Sequence, residues 1–204
     1  MRRTQPNQTT YKIIVLGDSY VGKTSFINQF VNNTFSLKYK ATIGVDFSTK
    51  MLSIGEALVN LQLWDPSGTE RFRSISDAFF RGTDGCILVC SVASLESFTN
   101  LEDWRDEMNK HLTYDIPYIA IANKCDVDEM EWQVTRTRFE QWCKKNDYNG
   151  YFVSAKDNVD VEKAIQCICE KIIENQMRNN MREMKNNPQP IIINEKTTNN
   201  SGCC

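Results

Sequence analysis

YKIIVLGDSYVGKTSFINQFV, residues 11–31, is the stretch from which the fold is read. YKIIVLG (11–17) is a short apolar run ending in Gly, and KTSFINQFV (23–31) has helical spacing. The junction, GDSYVGKT (17–24), matches G-x-x-x-x-G-K-[ST] between strand and helix, the setting that motif requires. In that setting the backbone N–H groups of Asp18, Ser19, Tyr20, Val21, Gly22, Lys23, Thr24 and Ser25 form a nest for anions. The helix N-terminus adds partial positive charge. Gly22 lets the backbone wrap closely, Lys23 meets the β- and γ-phosphates, and the Thr24 hydroxyl is a ligand for Mg²⁺.

Outward from this unit, VDFSTKMLSI (45–54) and ALVNLQLW (57–64) alternate like strands and are joined by Gly55-Glu56, a hairpin signal. GCILVCSV (85–92) and PYIAIAN (117–123) are continuous apolar runs, as expected of strands buried on both faces. YFVSA (151–155) is a last short strand. Helical patterns occupy 97–112, 134–146 and 161–177. The alternation predicts an α/β fold: a six-stranded, mostly parallel sheet with one antiparallel edge strand and helices on both faces. Ligands of such sheets bind at the carboxyl ends of the strands, here the loops 17–23, 65–70, 123–126 and 154–156.

The 204 residues suffice for one domain and a tail. The division expected is a flexible N-terminus (1–10), a domain (11–178) and an Asn-rich disordered tail (179–204). A net charge of −2 gives no electrostatic case for nucleic acid. MRRTQPNQTT has no apolar core of a secretory signal, and no stretch is apolar enough to span a bilayer. Cys86 and Cys90 sit in an apolar strand run and Cys167 and Cys169 in a helical pattern, which predicts reduced thiols acting as small hydrophobes. His111, the single histidine, reads as a surface residue in a helical stretch.

Two further groups of residues fall on the strand-end loops. WDPSGTE (64–70) places Asp65 at a strand end as the second magnesium-associated carboxylate, acting through bound water, and puts Gly68 where its N–H approaches the γ-phosphate. Thr42 is a candidate second hydroxyl for Mg²⁺, although taken alone it reads as an ordinary strand-entry Thr. NKCD (123–126) and SAK (154–156) form a base-reading set. A carboxylate at Asp126 accepts from the N1–H and exocyclic amine of guanine, whereas adenine would leave it unpaired. Such a site discriminates by about 10⁴ or more. Asn123 ties the loops together, the stem of Lys124 covers the base, and the N–H of Ala155, between Ser154 and Lys156, meets the guanine O6.

GDSYVGKT, Thr42, WDPSG, NKCD and SAK, in this order, resemble the Ras superfamily of small GTPases. IGVDF (43–47), RFRSI (71–75) and FFRG (79–82) resemble its Rab family over residues 11 to about 178, and NNTFSLKYKATIGVDF (32–47) with WRDE (104–107) its late-endosomal and lysosomal branch. The resemblance implies a P-loop small G domain and a monomeric GTPase that binds GTP or GDP with Mg²⁺. It further implies a switch in vesicle trafficking, on the cytoplasmic face of an endomembrane (late endosome, lysosome or phagosome) and cycling with the cytosol. Thr42 and Gly68 would contact the γ-phosphate and order residues 35–47 and 66–81, the effector-binding loops. Phe35 resembles the aromatic that flanks guanine and Tyr39 the lid over the phosphates. Ile43, Phe47, Trp64 and Phe79 match the apolar effector surface. The ending SGCC matches a doubly geranylgeranylated terminus at Cys203 and Cys204, and two lipid chains give stable anchoring. Implied protein partners are effectors, an exchange factor, a TBC-type activating protein, an escort protein and a dissociation inhibitor.

Three positions depart from that pattern. Tyr20 stands where the family has a small residue, and is expected over the nucleotide or in the path of an incoming arginine. Pro66-Ser67 replaces Thr-Ala. Thr69 replaces the Gln that positions the attacking water. Its single hydroxyl on Cβ is too short to bridge water and γ-phosphate, so slow unaided hydrolysis is expected. The alternative is a largely GTP-loaded recruitment module with little hydrolysis.

Overall fold

The computed structural model describes residues 9–38, 42, 44–55, 57–66 and 77–186. Strand β1 (Thr9–Leu16) leads into helix α1 (Lys23–Asn32), and β2 (Val45–Ile54) with β3 (Ala57–Pro66) makes the antiparallel hairpin. After the short α2 (Asp77–Phe80) come β4 (Gly85–Ser91), α3 (Leu95–Thr99), α4 (Leu101–Lys110) and β5 (Tyr118–Asn123). A 3-10 turn (Glu129–Glu131), α5 (Arg136–Lys145), β6 (Asn149–Val153) and α6 (Val161–Asn186) complete the described chain. The sheet order is β2-β3-β1-β4-β5-β6. All pairings are parallel except β2 with β3, as the alternation predicts.

Period-two alternation explains why the apolar strands have no polar face. Along β1, Ile13 and Val15 join a core with Phe26, Phe30, Ile165 and Ile168, under α1 and α6. Ile14 and Leu16 join the opposite core with Phe98, Leu101, Trp104 and Phe139, under α3, α4 and α5. Strands β4 and β5 divide their side chains in the same way. Both faces are covered, as a parallel sheet with crossover helices requires.

The cysteines fit the expectation. Cys86, Cys90, Cys125, Cys143, Cys167 and Cys169 are free. Burial pushes the thiols of Cys143 and Cys169 up to about 12, so they stay neutral hydrophobes.

Four expectations change. The helix expected over 97–112 is two: α3 ends at Thr99, and Asn100 (ψ −6°) breaks the run. The Asn100 side chain leaves the helix to reach Asp18. The tail boundary at 179 falls inside α6, which continues to Asn186. Met181, Arg182, Glu183, Met184 and Lys185 are good helix formers, and Pro188 disfavours helix at the residue before it. At the other end β1 begins at Thr9, within the N-terminus expected to be flexible. Thr9 and Thr10 pair with Val59 and Asn60 of β3. His111 is half-buried, its ring stacked flat on Phe80 at 4.3 Å, so it serves packing more than surface. Residues 1–8 and 187–204 lie outside the described residues, as does Glu56 of the hairpin turn.

Gly17 ends β1 with φ +150°, and a Cβ there would stand 2.1 Å from the Val89 carbonyl oxygen of β4. Neither backbone can retreat without breaking the sheet. Gly17→Ala is therefore expected to lower the unfolding free energy by about 1–3 kcal/mol, read by urea denaturation.

Candidate nucleotide and magnesium site

Leu16, Asp65, Ser91, Asn123 and Val153 lie at the same end of the sheet, because five strands run parallel. The loop after β1 is built around Lys23. Its side chain is buried, and its ammonium donates to the carbonyls of Gly17 (2.7 Å) and Asp18 (2.9 Å). Lys23 thus closes the loop on itself from the first turn of α1. Gly22 has φ +95°, and a Cβ on it would come 2.4 Å from Asn123 Nδ2. That approach matters because the same amide donates to the Val21 carbonyl at 2.8 Å. Asn123 Oδ1 in turn accepts from the Ala155 N–H at 3.2 Å. One buried Asn therefore ties the loops after β1, β5 and β6 together, as expected from NKCD. The Ala155 N–H, expected to meet the guanine O6, donates to Asn123 in the protein without nucleotide.

Asp126 faces the same cleft. Its Oδ1 accepts from Ser154 Oγ at 2.7 Å, and Lys156 Nζ stands 3.4 Å from Oδ2. Ser154 also receives the Asp157 N–H, which fixes the turn. Lys124 adopts φ +65° and its ammonium is pushed down from its ordinary value, first by burial. Across the cleft mouth, Phe35, Ser36, Leu37 and Lys38 line a pocket of about 480 Å³ with Lys156. Phe35 and the SAK loop therefore border one space, as a residue flanking a base must.

The magnesium residues converge as well. Thr24 Oγ1 lies 3.1 Å from Thr42 Oγ1 and donates to Asp65 Oδ2 at 2.5 Å. Asp65 is buried, and its Oδ1 has no hydrogen-bond partner among the described residues. Desolvation pushes the Asp65 carboxyl above its ordinary value, against the Thr24 bond and the Lys23 charge. Two hydroxyls and a carboxylate oxygen left without a donor are a hard-oxygen set that suits Mg²⁺ and its water. The fit is thus good, with Thr24, Thr42 and Asp65 as the holding residues. Ser19 Oγ, in the loop after β1, is another buried oxygen with no partner among the described residues. Tyr39, Ile43, Gly68, Thr69, Cys203 and Cys204 lie outside the described residues.

The aromatic residues expected at the effector surface touch. Phe47 and Trp64, directly opposite across β2 and β3, stack at 5.3 Å, and Trp64 meets Phe79 edge-on at 5.6 Å. Phe47 is exposed while Phe79 is buried, so the group has a wet end and a core end. Lys12, which the sequence reading passed over, sits 4.4 Å from the Trp64 ring and bonds the Phe79 and Arg81 carbonyls. Pro66 ends β3 opposite Val45, beyond the last pair with β1, so its missing N–H costs no ladder bond. Tyr20 takes the left-handed conformation (φ +65°) with 65 % of its surface exposed. Such a backbone in a bulky residue costs about 1–3 kcal/mol and persists only where its surroundings fix it.

The Ras family pattern matches residues 12–174. The chain belongs to the Ras family, in its Rab branch. It is 46 % identical over 168 residues to the Ras-related protein Rab7 of Drosophila melanogaster, covering 80 % of each chain. Against the Ras-related protein RABG3a of Arabidopsis thaliana it is 47 % identical over 175 residues, 83 % of this chain and 85 % of the relative. A Rab7 of Cenchrus ciliaris aligns over 205 residues at 40 % identity, with 97 % and 98 % coverage. The sheet is that of a Ras-type small G domain. Members of this Rab group are GTP-binding GTPases of vesicle transport.

Burial lowers the Lys23 ammonium to about 8 in the protein without nucleotide. A polyphosphate beside it would act in the opposite direction. Because the folded form binds fewer protons than the unfolded between about pH 8 and 10.5, this lysine makes stability rise through that window. Buried thiols and tyrosines titrate in the opposite sense there, so the lysine is isolated by comparison. For protein stripped of nucleotide, stability relative to Lys23→Met is expected to increase by about 3 kcal/mol across the window, read by urea unfolding.

Proposed function

We propose that this Rab protein is a GTP/GDP-dependent trafficking switch of the late endosome, lysosome or phagosome, with slow hydrolysis of its own. The observation that carries the switch is the meeting of Thr24, Thr42 and Asp65. Thr42 belongs to residues 35–47, so its contact with the end of α1 gives that segment a reason to respond to phosphate. With GTP bound, Thr42 and the N–H of Gly68 hold residues 35–47 and 66–81 in the effector-binding form. When the γ-phosphate leaves, the hold is lost.

Guanine is selected at Asp126, with Ser154 and Lys156 fixing its carboxylate and Asn123 fixing the loop. Thr24, Thr42 and Asp65 would hold Mg²⁺, which would supply positive charge against that developing on the phosphates. Lys23 supplies the protein's own positive charge to the β- and γ-phosphates, drawing on the ammonium that otherwise bonds Gly17 and Asp18. Tyr39 covers the phosphates and Phe35 the base. Effectors dock on Ile43, Phe47, Trp64 and Phe79. Geranylgeranyl groups on Cys203 and Cys204 hold the protein on the cytoplasmic face of the membrane, and an escort protein and a dissociation inhibitor carry it through the cytosol. An exchange factor loads GTP. The protein acts as a monomer, with residues 11–178 as the nucleotide-binding domain and the segment past α6 as its tether.

Hydrolysis is where this chain differs. Thr69 lacks the reach and the second polar group of Gln, so an attacking water is left poorly placed. A TBC-type activator supplying both Arg and Gln in trans would bypass Thr69, an arginine alone giving on the order of 10³–10⁵ in rate. In single-turnover GTP hydrolysis, Thr69→Gln is expected to run at least about tenfold faster than wild type, a barrier difference of about 1.4 kcal/mol. Equal rates would contradict this role of Thr69. A wild type that stays GTP-loaded even with the activator would identify a recruitment module.

A further inference from the structure

Asp18 is an acidic residue inside a loop that binds anions, and its side chain is turned away from that loop. Its Oδ1 accepts the Trp104 indole N–H at 2.7 Å, and its Oδ2 accepts from Asn100 Nδ2 at 2.8 Å. Its backbone carbonyl accepts from Lys23 Nζ. One residue is thus gripped from two sides, by α4 through its carboxylate and by α1 through its carbonyl.

The two carboxylate partners are four residues apart, and the Trp104 N–H bonds the Asn100 carbonyl, so they stand one above the other on a single helical turn. Trp104 is buried in the core beneath α4. Asn100 gives no side-chain cap to α4, although it occupies the capping position. The break between α3 and α4 serves instead to aim that amide at Asp18.

We infer that Asp18 is a positioning residue for the phosphate loop, held by Trp104 and Asn100 so that its charge stays clear of the phosphates and its carbonyl stays on Lys23. This rests on the guanine-nucleotide reading of the site. Without the two donors the carboxylate is free to swing toward bound phosphate, and the carbonyl that seats Lys23 loses its anchor. Both effects speed nucleotide release. Hydrogen bonds to a charged group are strong enough for this to be measurable.

The test is the dissociation rate of a fluorescent GDP from the full chain in Mg²⁺. Trp104→Phe keeps the ring and removes the N–H, and Asn100→Ala removes the second donor. Together they are expected to speed release about tenfold or more, the scale of one charged hydrogen bond. In an Asp18→Ala background the two donor substitutions should add nothing further. Equal acceleration with and without Asp18 would assign the effect to helix packing and overturn the inference. Unchanged release in the double variant would overturn it too. A wild type that fails to retain GDP would instead remove the nucleotide reading and the inference with it.

Discussion

The parallel pairing of β1 with β3 on one side and β4 on the other is the constraint on which the rest depends. Ile14 stands beside Trp64 and Leu16 beside Leu88, so the end of β1 lies next to Asp65 near the end of β3, and β4 runs on to Ser91. Both faces of β1 from Ile13 to Leu16 are fully buried. A one-residue slip would exchange the two cores and carry Asp65 away from Thr24. The ligand loops are therefore placed by hydrophobic register before any polar contact forms among them.

Three polar ties then set the loops on that frame. Lys23 draws the phosphate loop closed, Asn123 binds it to the base loops, and Thr24 joins it to Asp65. Each uses buried groups, so each is costly to leave half-made. The tie at Asp65 is incomplete within the protein, since one oxygen has no donor among the described residues. A cation with its water would complete it. In the function proposed, binding and the response to phosphate rest on these ties.

Most of the sheet was legible because an apolar run between Gly-bounded loops leaves few choices. VDFSTKMLSI, for example, reads as β2 from its first residue to its last. The convergence of NKCD and SAK was legible too, since parallel strands bring their carboxyl ends together. What escaped the sequence depended on contacts between distant residues. The break at Asn100 answers to Asp18, 82 positions away. The Ala155 N–H is taken by Asn123, and His111 is drawn in by Phe80. Lys12 carries no motif of its own, and only the fold sets it beside Trp64 and Phe79. The helical run past residue 178 was obscured by its asparagines, whose weak propensity was outweighed by neighbouring Met, Arg and Glu.

The central claim is that Thr24, Thr42 and Asp65 form a magnesium site that locks guanine nucleotide into the loop. The most direct measurement is the release rate of fluorescent GDP from the wild-type chain in excess Mg²⁺ and after chelation. The account predicts slow release in Mg²⁺ and release at least about tenfold faster once the ion is removed, a difference of about 1.4 kcal/mol or more. Identical rates in the two conditions would contradict it.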